Sequence, residues 1–330
     1  MRIFVAGGAG YIGSHCCKAL AKAGFELVVY DNLSTGHREF VKWGPLIEGD
    51  IRDGESLTKA MRETRPDAVM HFAALALVGE SMVDPGRYYD VNVAGGLRLL
   101  EAMRAAGVDE LVFSSTCAVY GIPETIPITE ATPERPINPY RASKLAFERM
   151  LKDFEQAYGV KSVRLRYFNA AGADEEGEIG EWHEHETHLI PLLIEATLGR
   201  RPPVSIFGTD YPTPDGTAIR DYIHVEDLAA AHLLAVRHLA AGGAPAVLNL
   251  GTGRGDSVAQ VIAAVEAACG RQVPLTRSGR RPGDPPALVA NPSQAASVLG
   301  WTAARELRQI VADALHWHAA NDHSPRAAAL

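Results

Sequence analysis

"VAGGAGYIGSH", residues 5–15, decides how the rest of this chain is read. An apolar run, "RIFVA", breaks at glycine, and Gly7, Gly10 and Gly13 follow at intervals of three as a helical pattern opens. Without side chains, the backbone turns tightly and approaches a pyrophosphate whose charge the helix N-terminus favours. The glycines alone are a weak signal in a chain holding 31 of them; their position between strand and helix gives them meaning. Tyr11 and Ile12 complete the expected cofactor loop. Asp31 closes the second strand-like run, "ELVVYD", about 20 positions on, where a carboxylate accepts both hydroxyls of an adenosine ribose and repels a 2'-phosphate. NAD is therefore expected over NADP. Asn32 and Ser34 lie nearby, and Asp50 and Ile51 of "GDIRD" follow a third strand where they would flank the adenine; an exposed Asp and a core Ile remain open readings.

Outward from this stretch, "AVMHFAA", "ELVFSST" and "SVRLRYF" alternate with helical patterns such as "PGRYYDVNVAGGLRLLEAMRAAG". Alternation of this kind specifies successive βαβ units and a parallel sheet covered on both faces. The fold class is α/β, a Rossmann-type doubly wound parallel sheet with a smaller α/β substrate-binding domain. After Gly172 the texture changes to an acidic loop, "ADEEGEIGEWHEHETH", then a helix and Pro-rich loops. We expect a dinucleotide domain over residues 1–171, with "RDYIHV" and "AVLNLG" returning to it over about 218–250, and a substrate domain from 172–217 and 251–330. The final "ANDHSPRAAAL" reads as a frayed tail.

At 330 residues and 22% charged, with a net charge of -8, the chain has an ordinary globular composition and lacks the concentrated positive field that nucleic acid or an anionic membrane requires. An anionic substrate must then be met by a few placed arginines. Four cysteines, Cys16, Cys17, Cys117 and Cys269, make no metal spacing and suit a reducing cytoplasm. The first residues do not form a signal peptide, and no apolar run approaches membrane length, so a cytoplasmic location is expected.

"NPYRASK" sets Tyr140 and Lys144 one helical turn apart, with Asn138 as N-cap and Pro139 in the first turn. A free phenol is ionised in about a thousandth of molecules at pH 7, so its use as a base needs on the order of 4 kcal/mol of preference for the anion. An ammonium about 6 Å away supplies roughly 3 kcal/mol at an effective dielectric of about 20. A positive nicotinamide supplies the remainder.

These features together resemble the extended short-chain dehydrogenase/reductase superfamily, and "YDNLSTG", "RYFNAAGA", "ETHLIPLL", "SIFGTDYPTPDGTAIRDYIHVEDLA", "NLGTGRGDSV" and "RRPGD", in order, resemble its UDP-glucose 4-epimerase family. The resemblance implies interconversion of UDP-galactose and UDP-glucose by NAD-dependent oxidation and reduction at sugar C4, through a 4-keto intermediate, in a homodimer. In it Tyr140 takes the O4 proton, Thr116 bonds the same oxygen where serine is commoner, and Lys144 also holds the nicotinamide ribose. Phe72, Ala73, Ala74, Leu75, Asn92, Ser114 and Tyr167 are implied to line the cofactor, with Ala76 replacing a lysine of some relatives. Relatives that dehydrate nucleotide sugars carry acidic residues where Cys117 and Ala118 stand, which leaves C4 chemistry here. Cys117 is read as a packing residue.

For the sugar nucleotide the resemblance implies Asn169, His188, Leu189 and Phe207, a diphosphate clamp of Arg220 and Arg281, and Asp284 on the uridine ribose. Glu80 and Ser81 fall near the sugar, with helix packing as the other reading. Leu288 stands where a tyrosine excludes N-acetylated sugars. The alternatives are a UDP-N-acetylglucosamine or UDP-pentose 4-epimerase and a non-catalytic dinucleotide sensor. "EWHEHETH" offers His183, His185 and His188, but as part of a mobile loop it is read as holding no metal.

Overall fold

The structure, a computed structural model, describes residues 1–281 and 283–321. Most of the expected tail lies outside the described residues. In chain order the first half runs β1 (Arg2–Ala6), α1 (Tyr11–Lys22), β2 (Glu26–Asp31), β3 (Leu46–Glu48), α2 (Gly54–Thr64), β4 (Ala68–His71), α3 (Val78–Val83), α4 (Pro85–Tyr89), α5 (Gly96–Ala106), β5 (Glu110–Thr116), α6 (Pro139–Tyr158) and β6 (Lys161–Tyr167). The second half runs β7 (Asn169–Ala171), α7 (Leu189–Thr197), β8 (Val204–Phe207), β9 (Ile219–Arg220), β10 (Tyr222–His224), α8 (Val225–Ala240), β11 (Ala246–Leu250), β12 (Asp256–Ser257), α9 (Val258–Cys269), β13 (Leu275–Ser278), β14 (Ala287–Leu288), α10 (Ser293–Leu299) and α11 (Leu307–Ala320).

Seven strands form one parallel sheet in the order β11-β6-β5-β4-β1-β2-β3. Successive side chains of β1 enter two cores: Ile3 and Val5 pack with Cys16, Leu20 and Leu228 of α1 and α8, whereas Phe4 and Ala6 pack with Leu57, Leu99 and Phe147 of α2, α5 and α6. This two-sided burial explains why the strands are apolar throughout rather than alternating. The chain reverses direction across the sheet between β1 and β4, which opens a crevice beyond their carboxyl ends.

A third core, including Ile194, Ile206, Val265 and Ile310, joins α7, β8, α9 and α11. The two returning segments differ in how they pair, although Ile223 of "RDYIHV" packs in the same core as Val5 and Leu248. "AVLNLG" pairs with β6 in the large sheet, but "RDYIHV" does not enter it: β9 lies between β12 and β14, and β10 pairs with β7. The edge position beside β6 is already filled by β11, so β10 has only the short continuation β7 to pair with. No helix among the described residues is long and apolar enough to cross a membrane.

Candidate active site

The glycine turn sits at the crevice. Gly7 has φ +83, and a Cβ there would lie 2.4 Å from the Ala73 nitrogen; at Gly13 it would lie 2.2 Å from the Gly7 carbonyl oxygen. These two glycines permit strand, turn and helix to close on one another. Gly10 differs, because a Cβ there would approach only the Gly7 oxygen, at 3.5 Å, so its outer side is open to an approaching anion. Asp31 is buried and accepts the Ala9 and Leu33 amides, each at 2.9 Å. Burial raises its carboxyl above the usual range, opposed by those two amides. A carboxylate has about four lone-pair sites, so acceptor capacity remains for a ribose diol.

Asn32 donates to Asp50 at 3.0 Å and accepts the Ser34 amide at 3.0 Å. Hydrogen bonds from Arg52 hold Asp50 well below the usual carboxylate range. Ile51 is buried against the α2–α5 core. Asn92 clamps Leu75 from both sides, accepting its amide at 2.8 Å and donating to its carbonyl at 3.0 Å, with a further bond to Ser143 at 2.9 Å. It fixes the path of the Phe72–Leu75 loop. Tyr11 uses its hydroxyl to bond the Gly172 carbonyl at 2.6 Å.

Beyond β4, the three hydroxyls ending β5 are dealt out by strand alternation. Ser115 faces α6 and bonds Glu148, a carboxylate that also accepts Arg166 Nε at 2.9 Å. Ser114 bonds the Tyr167 hydroxyl, and its carbonyl accepts Lys144 Nζ at 2.7 Å. Thr116 accepts the Ala118 amide at 3.1 Å and stands beside Tyr140, where its hydroxyl favours the phenolate. Asn138 caps α6 by accepting the Arg141 amide at 3.0 Å, with Pro139 in the first turn, so Tyr140 and Lys144 are held against the strand end.

The electrostatics modify the expected activation. Burial pushes the Tyr140 phenol up to about 12, against the hydrogen bond from Thr116, and burial lowers the Lys144 amine to about 7. The lysine by itself does not make a phenolate: desolvation disfavours both charges, and they become favourable only together. Cys117 is buried, which pushes its thiol up to about 12 and leaves no nucleophile there.

On the opposite wall, Arg220 donates to Asp284 at 2.5 Å, and the Arg281 guanidinium lies 4.0 Å from the centre of the Phe207 ring. Four residues expected from the resemblance thus come together. Asn169 stands in β7 opposite Tyr222, and Leu189 opens α7. Leu288 pairs with Arg220 and packs towards Cys117 and Phe168. Glu80 and Ser81 spend their polar atoms locally, Glu80 on Arg87 and Tyr88 and Ser81 on the Val78 carbonyl.

Two residues at this wall were not singled out from sequence. Asp221 is fully buried and accepts four bonds, from the Thr252 amide and hydroxyl at 2.7 Å, the Gly253 amide at 3.0 Å and the Ala290 amide at 3.1 Å. It ties three segments together behind Arg220, a long-range role with no local signal. Arg141 is half-buried, with Nε and Nη1 buried and unpaired among the described residues, in the electrostatic reach of Cys117, Asp284, Tyr140 and Arg220. Its signal was its place in "PYRASK", where a charge directly follows the phenol.

The acidic loop, expected to be mobile, is packed against α1 and the residues after β2. Lys18 of α1 is buried among Asp174, Glu176 and Glu178 at 2.8, 2.5 and 2.6 Å. Trp182 stacks on His37 at 3.8 Å, and its carbonyl bonds the same imidazole at 2.9 Å. Further along, His188 directs Nδ1 at Glu181 rather than into the crevice, with 53% of its side chain accessible.

Residues 3–251 match the NAD dependent epimerase/dehydratase family. The chain is 53% identical over 322 residues to a UDP-glucose 4-epimerase of Rhizobium leguminosarum bv. trifolii, covering 97% of this chain and 98% of that one. Its fold is similar to the UDP-glucose 4-epimerase of Brucella ovis in complex with NAD, with a TM-score of 0.94, 51% identity and coverage of 96% and 98%. It is also similar to the Bifidobacterium longum enzyme in complex with NAD+ and UDP, with a TM-score of 0.93, 38% identity and coverage of 98% and 100%.

Proposed function

The chain belongs to the NAD dependent epimerase/dehydratase family, and from that premise we propose that it is a UDP-glucose 4-epimerase, interconverting UDP-galactose and UDP-glucose. The observation that carries this reading is the end of β5. There Thr116 and Tyr140 stand side by side near Lys144, and the next two residues, Cys117 and Ala118, supply no acidic group for elimination or a second proton transfer.

NAD fits the crevice: Gly10 leaves the turn open, Asp31 retains acceptor sites for the adenosine ribose, and Lys144 lies within reach of the other ribose. Bound NAD supplies the acceptor and then the donor of the C4 hydride, together with a positive charge that favours the phenolate. Tyr140 takes the O4 proton while Thr116 holds the same oxygen, and later returns that proton when the other face of the 4-keto sugar is reduced. With the phenol near 12, the anion at pH 7 needs about 7 kcal/mol of support. Lys144 supplies about 3 kcal/mol, and the cofactor charge is required for the balance. A phenolate in turn restores the charge on Lys144.

Arg220, Arg281 and Asp284, with Phe207, Asn169 and Leu189, are assigned to the uridine diphosphate, using forked donors against a dianion in a protein of net charge -8; His188, turned to Glu181, is left out of that set. Residues 1–171 and about 218–250 would hold the dinucleotide, and 172–217 with 251–330 the UDP-sugar. A cytoplasmic homodimer is the assembly that the family resemblance supports. The test is to incubate purified protein with UDP-galactose, without added NAD, and to follow UDP-glucose. Formation by the native chain and its loss in Tyr140→Phe support the reading; a fully active Tyr140→Phe refutes the assigned base.

A further inference from the structure

We propose that Glu181, His183, Glu186 and His188 bind one divalent cation of zinc's coordination preference, in a closed structural site that fastens the loop between β7 and α7. Their four ligand atoms lie within 4.8 Å of one another. Ligand atoms on a tetrahedron with bonds of about 2.0–2.1 Å stand about 3.3 Å apart. His183 Nδ1 lies 3.4 Å from Glu181 Oε1 and 3.2 Å from Glu186 Oε2, and His188 Nδ1 lies 3.7 Å from Glu186 Oε1. A fourth pair, His188 and Glu181, is in direct contact. Both carboxylates are nearly inaccessible, at 3% and 5% of their side-chain surface; the Thr187 and His188 amides meet Glu186 Oε1 at 2.7 and 2.8 Å, and Glu181 Oε1 and Glu186 Oε2 face the imidazoles.

One imidazole hydrogen bond here is divided between two acceptors. His183 Nδ1 carries at most one proton, yet it faces two carboxylates at almost equal distance. A divalent cation carries the charge of two protons and satisfies all four atoms at once. Mixed imidazole and carboxylate donors select zinc over magnesium or calcium, which take oxygen shells. Four protein ligands leave no open position, so the role is structural. The exposed His185 lies outside the cluster.

The site has a place in the architecture. The His183 ring stands edge-on to Tyr11 at the start of α1, at 6.3 Å, and His188 immediately precedes α7. A cation there would couple the cofactor loop to the helix carrying Leu189. The sequence set these histidines aside because the loop was expected to be mobile and the resemblance gave His188 to the substrate; the loop is packed, and His188 turns its Nδ1 to Glu181.

The test uses the full chain, dialysed against a chelator and titrated with zinc chloride against a chromophoric zinc indicator. One zinc per chain is expected, with a rise in Tm on the order of 5 °C and no response to magnesium. His183→Gln and Glu186→Gln are each expected to weaken binding by about ten-fold or more. X-ray absorption of the zinc-loaded native chain should give two nitrogen and two oxygen neighbours near 2.0–2.1 Å, a readout that does not depend on the variants folding. Failure of the native chain to bind zinc, a shell of sulfur or of oxygen alone, or unchanged affinity in both folded variants would overturn the proposal. These readouts do not involve turnover, so they stand or fall separately from the epimerase reading.

Discussion

Replacing Lys144 by methionine separates the two roles that one ammonium group can have at this site. Its Nζ is anchored on the Ser114 carbonyl at 2.7 Å and belongs to the helix face that carries Tyr140 one turn earlier. A charge about 6 Å from the phenolate is worth about 3 kcal/mol at an effective dielectric of about 20, or about a hundred-fold in the anion population. Removing it raises the Tyr140 pKa, so less of the base is ionised at any pH below that value. The initial rate of UDP-glucose formation from UDP-galactose, at saturating NAD and substrate, should therefore fall about a hundred-fold at pH 7 and recover about ten-fold per pH unit where the native rate is flat. The variant is expected to fold. Burial lowers the Lys144 amine to about 7, below its unfolded value of about 10.4, so this lysine opposes folding at neutral pH, an effect that fades as pH rises through that window. Methionine removes the opposition while keeping the length. A loss smaller than about three-fold, or a pH profile parallel to that of the native enzyme, would refute electrostatic activation and leave Lys144 as a ribose contact only.

Arg141→Ala addresses the unpaired guanidinium beside Tyr140 and Asp284. If its free N–H groups receive the substrate, KM for UDP-galactose rises about ten-fold or more with circular dichroism unchanged; an unaltered KM would make it a structural charge. Leu288, packed towards Cys117 and Phe168, leaves more room than a tyrosine, so turnover of UDP-N-acetylglucosamine should be measurable by product chromatography; none from an enzyme active on UDP-galactose would refute that role for the residue. Leu288→Tyr is expected to remove the N-acetyl activity while sparing the hexose.

Much of the molecule is written in short-range pattern. The glycine spacing, the apolar runs, Asp31 at a strand end, and Asn138-Pro139 ahead of Tyr140 act within a turn or two of themselves, so the doubly wound sheet and the chemical pair were legible in the one-dimensional chain. Pairing over long range was not. Which edge receives "RDYIHV" depends on β11 having taken the place beside β6, and the roles of Asp221 and Lys18 depend on amides and carboxylates 31 to 156 residues away meeting them in space. The same holds for electrical state. Sequence places a lysine one turn from a tyrosine, but burial of both decides that neither charge is stable alone, because desolvation belongs to the packed environment and not to residue order. The acidic loop is the sharpest case. Its letters suggest a solvated, mobile segment; only the closing of α1, α7 and the loop on one another turns four of its side chains towards a common point.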